Sequence, residues 1–294
     1  MLGLLRKAED AAAGWPGLLA QAQSAVAGLQ AGDHRQKKPG MGERFWQFRD
    51  YSPSDRPQDI DWRQSAKGDS VFVREKERQM PRPFTFWCDA NRGMLFRSDD
   101  ALETKGRMAQ IICLATALLA TRAHENIYLA GGDFRPGRTE NTVQTMARNL
   151  MRDKQLMFHQ LPHERIPSGG MAVVASDFLS PVEDIDSVLS ALTRQSAHGL
   201  FIQVLDPAER ILPYDGRVKF ESMESGAQET VDHVETVRAE YAKRIEDHTV
   251  ALREACSRKG WHYILHDTST PAAQSVEDIW SFLQHEGVGG RLSA

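Results

Sequence analysis

The chain has 294 residues, 41% of them apolar and 26% charged, with a net charge of −4. That length suits one large domain or a domain with an appendage, in an ordinary soluble composition. The charge gives no global attraction to nucleic acid or to an anionic membrane. Cys88, Cys113 and Cys256 are odd in number, far apart and without C-x-x-C spacing. They exclude a disulfide framework and a structural zinc, and point to a reduced compartment.

Residues 2–31 read as an amphipathic helix interrupted near Pro16, with Trp15, Leu18, Leu19, Ala22, Val26 and Leu29 at helical spacing and Gly32 as its stop. Residues 11–32 carry no charge, yet their Ala, Gln and Gly content is too weakly apolar to span a bilayer. Glu9 and Asp10 spoil a basic signal region, so a cytoplasmic protein is expected. Residues 34–42 are basic and contain glycine, but lack the Lys-Ser/Thr ending of a phosphate loop.

The stretch 40–67 sets Arg44, Arg49, Arg56, Arg63 and Lys67 against Glu43, Asp50, Asp55, Asp59 and Asp61, with Phe45, Trp46, Phe48, Tyr51 and Trp62 between them. This mixture predicts a partly buried polar framework in which Arg forks meet carboxylates, with Trp62 anchoring a turn in the core. Residues 70–77 begin as a strand and end in charges. Pro81 and Pro83 then mark a boundary, giving an N-terminal part over 1–82 and an α/β domain over 83–294.

Beyond Pro83 short apolar strands alternate with helices. Strands are predicted over 84–89, 126–131, 171–177, 199–205 and 261–266. Helices are predicted over 103–123, 142–152, 183–194, 229–258 and 276–283, with a hairpin-like insertion at 208–229. This pattern predicts a Rossmann-like, mostly parallel sheet with helices on both faces. Asp89 and Asp177 end two of the strands, where open α/β sheets place their sites.

The ordered residues Gly42-Glu43, Phe48-Arg49-Asp50-Tyr51, Asp55, Asp59-Ile-Asp-Trp-Arg63, Ser65-Ala66 and Val73-Arg-Glu75 resemble the signature of the family called domain of unknown function 58. The resemblance implies a von Willebrand factor A-like domain behind the conserved segment. It also implies frequent genetic association with MoxR-type AAA+ ATPases and a part in assembling or maturing other complexes, so such an ATPase and its client proteins are the expected partners. Within the segment it singles out Arg49, Tyr51, Asp55, Asp59, Asp61, Trp62, Arg63, Arg74 and Glu75 as candidate motif or interaction residues. Related A-domains hold magnesium or a similar cation at an Asp-x-Ser-x-Ser run. Here the run is Asp89-Ala-Asn91-Arg-Gly93, with Asp177 at the later acidic position and Thr139 or Thr142 near the remaining hydroxyl. Asp89, Asn91 and Asp177 are thus the candidate ligands of a degenerate site. No cofactor is expected there, because a hard cation needs several oxygens and two hydroxyls are missing.

Asp59 and Asp61, two apart on an extended segment, would face one side. Paired acids suit a divalent ion or acid–base work, while the interspersed Arg56 and Arg63 make ion pairing their expected use. Pro162 separates His159 from His163, so they cannot share a helical metal face. His262 and His266 fall on one face of a strand without a third ligand nearby. Ser176 lacks the glycine-flanked elbow of a hydrolase, and no Walker loop or dinucleotide fingerprint is present. The expected function is a non-enzymatic interaction module. Its rival is a metal-dependent hydrolase, or an A-domain whose ligand binding needs metal, drawing on Asp59, Asp61, Asp89 or Asp177.

Overall fold

A computed structural model describes residues 16–27, 29, 45–53, 55–68, 70–76, 83–131, 134–152, 166–195, 198–222 and 226–289. The chain divides into a larger unit, 1–31 with 82–294, and a smaller unit, 32–81. The first described helix, α1, covers 16–27 and buries Leu18, Ala22 and Val26, one residue per turn along a single stripe. It belongs to the larger unit.

In the smaller unit β1 (Phe45–Asp50) pairs antiparallel with β2 (Phe72–Lys76), with Phe48 opposite Arg74 and Arg49 opposite Val73. The Phe48 and Phe72 rings meet edge to face at 6.3 Å. The connection is built from local polar bonds. Asp55 Oδ2 accepts the Ser52 amide at 2.8 Å, and Pro57–Asp59 forms one 3-10 turn. Asp61 caps the short helix α2 (Trp62–Ser65) by accepting the Gln64 amide at 3.0 Å. Asp59 and Asp61 therefore do not lie on an extended strand as expected. One closes a turn and the other caps a helix, because a side-chain oxygen at an N-cap satisfies an orphan amide. Trp62 is 66% exposed and is not the core anchor the sequence suggested.

The larger unit is built on five strands: β3 (Pro83–Cys88), β4 (Asn126–Leu129), β5 (Met171–Ser176), β6 (His198–Leu205) and β9 (Trp261–Asp267). Their order across the sheet is β4-β3-β5-β6-β9, and every pairing is parallel. All six residues of β5 are buried, as a strand covered on both faces requires. One face is covered by α1, α3 (Lys105–Arg122), α4 (Glu140–Arg152) and α8 (Ala272–Gly289). The other is covered by α5 (Val182–Gln195) and α7 (Val234–Arg258).

The insertion between β6 and β9 holds a short helix, α6 (Pro207–Ile211), and a hairpin of β7 (Val218–Glu221) and β8 (Gln228–Val231). Because Gln228–Val231 pairs with β7, α7 starts at Val234 rather than at 229. The closing helix runs six residues further than the expected 283, to Gly289. No described helix is long and apolar enough to cross a membrane.

Candidate functional site

The adjacent strands β3 and β5 send their crossovers in opposite directions, β3 outward to β4 and β5 the other way to β6. Such a switch point opens a crevice at the carboxyl ends of the strands, and there the described residues form a connected, buried polar network. Asp89 follows β3 and is 3% exposed. Its Oδ1 accepts the Ala90 amide at 2.6 Å and the Asn91 amide at 2.9 Å. Its Oδ2 accepts Asn91 Nδ2 at 3.1 Å and Ser176 Oγ at 2.7 Å. Burial pushes this carboxyl above its ordinary value, against the pull of the Ser176 hydroxyl and the two amides, and nearby Asp177 pushes it up further.

Asn91 caps the 3-10 turn Arg92–Leu95, its Oδ1 accepting the Met94 amide at 3.0 Å. Gly93 lies in that turn. A Cβ there would stand 2.9 Å from Asn91 Oδ1 and 3.1 Å from Asp177 Oδ2, so the missing hydroxyl position has no room for a side chain. Thr139 and Thr142 bond each other at 3.1 Å, and neither bonds Asp89 or Asp177 among the described residues.

Asp177 follows β5. Its Oδ2 accepts Lys105 Nζ at 2.9 Å, and Asn91 Nδ2 approaches its Oδ1 at 3.5 Å. Lys105 opens α3, behind the Thr104 cap, and is 1% exposed. Its ammonium also donates to Glu209 Oε1 at 2.6 Å. Glu209 and Asp206 form a reciprocal capping box on α6: Asp206 Oδ1 accepts the Ala208 amide and Glu209 Oε2 accepts the Asp206 amide. Asp206 Oδ2 reaches across to the Ser98 amide at 2.9 Å. Burial pushes the Glu209 carboxyl up, and the Lys105 ammonium pulls it back.

Two further side chains, Gln203 and His248, hold the backbone after β5. Gln203, fully buried in β6, donates from Nε2 to the Asp177 carbonyl at 2.9 Å and accepts from the Tyr263 hydroxyl. Phe178 takes a left-handed φ of 47°, unusual for a bulky residue. The Phe178 carbonyl accepts from His248 Nε2 at 2.6 Å, and the Phe178 ring stacks on Phe201 at 3.8 Å. Ser176 is 1% exposed with its hydroxyl turned to Asp89, which is no arrangement for a nucleophile.

Of the residues singled out by sequence, the structure brings together Asp89, Asn91 and Asp177. Tyr51, Asp55, Asp61, Trp62 and Arg63 belong to the smaller unit. There Asp55 and Asp61 hold local turns, while Trp62 and Arg63 are exposed. Arg49 and Arg74 lie in β1 and β2; their side chains, with those of Asp59 and Glu75, lie outside the described ones. His159, His163 and the basic residues 34–42 also lie outside the described residues. Sequence reading missed Lys105, Asp206, Glu209 and Gln203. Two signals were available: a lysine at a helix N-terminus opposes the helix dipole, and Asp206-Pro-Ala-Glu209 is a capping-box sequence with proline in its first turn.

The site thus lies at the carboxyl edge of a Rossmann-like, all-parallel α/β sheet. The chain belongs to the protein family of unknown function DUF58, whose profile matches residues 47–251. No curated protein matches it. It is also similar to a conserved hypothetical protein, BatB, from Bacteroides thetaiotaomicron. That crystal structure is 14% identical, with 69% of this chain and 99% of the other covered and a TM-score of 0.34.

Proposed function

We propose that this chain is a non-enzymatic interaction module, a von Willebrand factor A-like domain that presents the carboxyl edge of its sheet to a protein partner. The partner is a MoxR-type AAA+ ATPase or its client, and the work is assembly or maturation of other complexes in the cytoplasm. One observation carries this reading. Leu95, Leu179 and Ile211 are 61%, 39% and 58% exposed, and they follow the carboxyl ends of the neighbouring strands β3, β5 and β6. All three belong to the connections that leave neighbouring strands at the carboxyl edge, where the members of the buried polar network are bonded to one another. Exposed apolar side chains on one edge suit a protein contact. The exposed Trp62 and Arg63, the residue types most often found as interface anchors, are a second candidate contact on the smaller unit.

The test is co-purification from the native host with a non-hydrolysable ATP analogue. Wild-type protein is expected to recover a AAA+ ATPase. A Leu95→Glu/Ile211→Glu variant is expected to lose it at unchanged thermal stability, since both side chains already face water. Trp62→Ala reports separately on the smaller unit and is expected to shift stability by less than about 0.5 kcal/mol. Wild-type protein that recovers no ATPase under these conditions refutes the partnership.

A further inference from the structure

Asp89, Asn91 and Asp177 do not fit a divalent cation as they stand. A carboxylate offers about four acceptor positions, and Asp89 has four donors on it: two backbone amides, the Asn91 amide group and the Ser176 hydroxyl. Asn91 turns its nitrogen, not its oxygen, toward the two aspartates, and its oxygen caps the Met94 amide. Magnesium needs near-octahedral oxygen ligands at about 2.0–2.1 Å. To approach both aspartates it would have to dislodge the Asn91 nitrogen, reverse the Ser176 hydroxyl and come up against a fixed ammonium. That ammonium, Lys105 Nζ, sits 2.9 Å from Asp177 and 2.6 Å from Glu209 with its side chain 1% exposed.

We infer that Lys105 Nζ is the resident cation of this site, doing the work that a divalent ion does in related A-type domains, so that contacts made at the carboxyl edge are independent of metal. The inference rests on the A-type reading of the domain but not on the ATPase partnership. The charges account for it. Asp177 and Glu209 arrive from the ends of two different strands, 32 residues apart in the chain, and both are largely buried. Two buried carboxylates repel unless a cation lies between them, and a lysine held at the start of α3 supplies one that cannot be chelated away. The ion then ties the turn after β5 to α6, the segments that carry Leu179 and Ile211, while the Lys105 amide holds the turn after β3 by donating to the Phe96 carbonyl at 3.3 Å.

Thermal unfolding of the wild type is followed in EDTA and in millimolar Mg²⁺, Mn²⁺ or Ca²⁺, beside Lys105→Ala and Lys105→Met. Wild-type Tm is expected to be the same in all four buffers. Lys105→Ala, which leaves both the acids and a space, is expected to have a lower Tm in EDTA and to regain roughly 5 °C or more in a saturable way with Mg²⁺ or Mn²⁺. Lys105→Met fills the space and is expected to stay low with or without metal. A saturable Tm rise of the wild type with any of the three ions overturns the inference, as does a folded Lys105→Ala that no divalent ion restores. If Lys105→Ala does not fold in any buffer, the wild-type titration decides alone. A wild type that ignores metal yet captures no ATPase would sink the partnership and leave this inference standing.

Discussion

Mild acid is expected to weaken the packing of α8 on β9 through one residue, His266. Its ring is 1% exposed, with Nδ1 bonded to Ser275 Oγ of α8 at 2.8 Å. Burial holds it near a pKa of about 4 against the ordinary 6.5, and the neighbouring Asp267 carboxylate offsets only part of that. As pH falls below 6.5 the unfolded chain takes up a proton that the folded chain refuses. The stability contributed by the neutral ring is therefore complete above 6.5 and is lost progressively down to about 4. At about 1.4 kcal/mol for each pH unit, the loss is on the order of 3 kcal/mol. Burial also raises the Glu209 carboxyl above its ordinary 4.5, which works in the opposite sense: it adds stability as pH falls. The measurement must therefore be a difference between two proteins. Urea unfolding of wild type and His266→Gln, followed by circular dichroism from pH 7 to about pH 4.5, isolates the histidine, since Gln can keep a bond to Ser275 and does not titrate. The gap between the two curves should change by roughly 2 kcal/mol or more over that range. Parallel curves would refute the reasoning, because they would mean that the ring meets water or a proton acceptor when charged.

Two further substitutions test the network. Asp206→Ala removes the α6 cap and the acceptor of the Ser98 amide together, and should cost roughly 2–4 kcal/mol by chemical denaturation. Asp206→Asn, which can keep one acceptor, should recover part of that loss. Gly93→Ser places a hydroxyl at the end of the Asp89–Gly93 run, but its Cβ would press on Asn91 Oδ1 at 2.9 Å. It should destabilise by about 1–3 kcal/mol and create no saturable response of Tm to Mg²⁺.

The central strands were legible in the sequence because helices bury them on both faces and each carries an apolar run, while the edge strands β4 (Asn126–Leu129) and β9 (Trp261–Asp267), only partly buried, showed through shorter apolar stretches. Met171–Ser176, buried at every position, is the clearest case. The same periodicity misplaced the start of α7. The backbone bonds of Gln228–Val231 go to Val218–Glu221, a pairing that helical spacing cannot express. The mixture of aromatics and charges over 40–67 put Trp62 inside, because an aromatic residue among charges reads as an anchor until the fold shows which way it faces.

At the carboxyl edge the division falls within single residues. Asp89 and Asp177 could be named from sequence, since each directly follows an apolar strand. Their charge partner could not. Lys105 lies 72 residues before Asp177 and Glu209 lies 104 residues beyond Lys105, and only the crossing of α3 and α6 over neighbouring strand ends brings the three together. Local spacing determined where the strands and their terminal acids would be, because burial on a regular backbone repeats with a short period. Which cation those acids meet was decided by tertiary structure alone, because a buried charge takes whatever partner the packing brings within about 3 Å, at any distance along the chain.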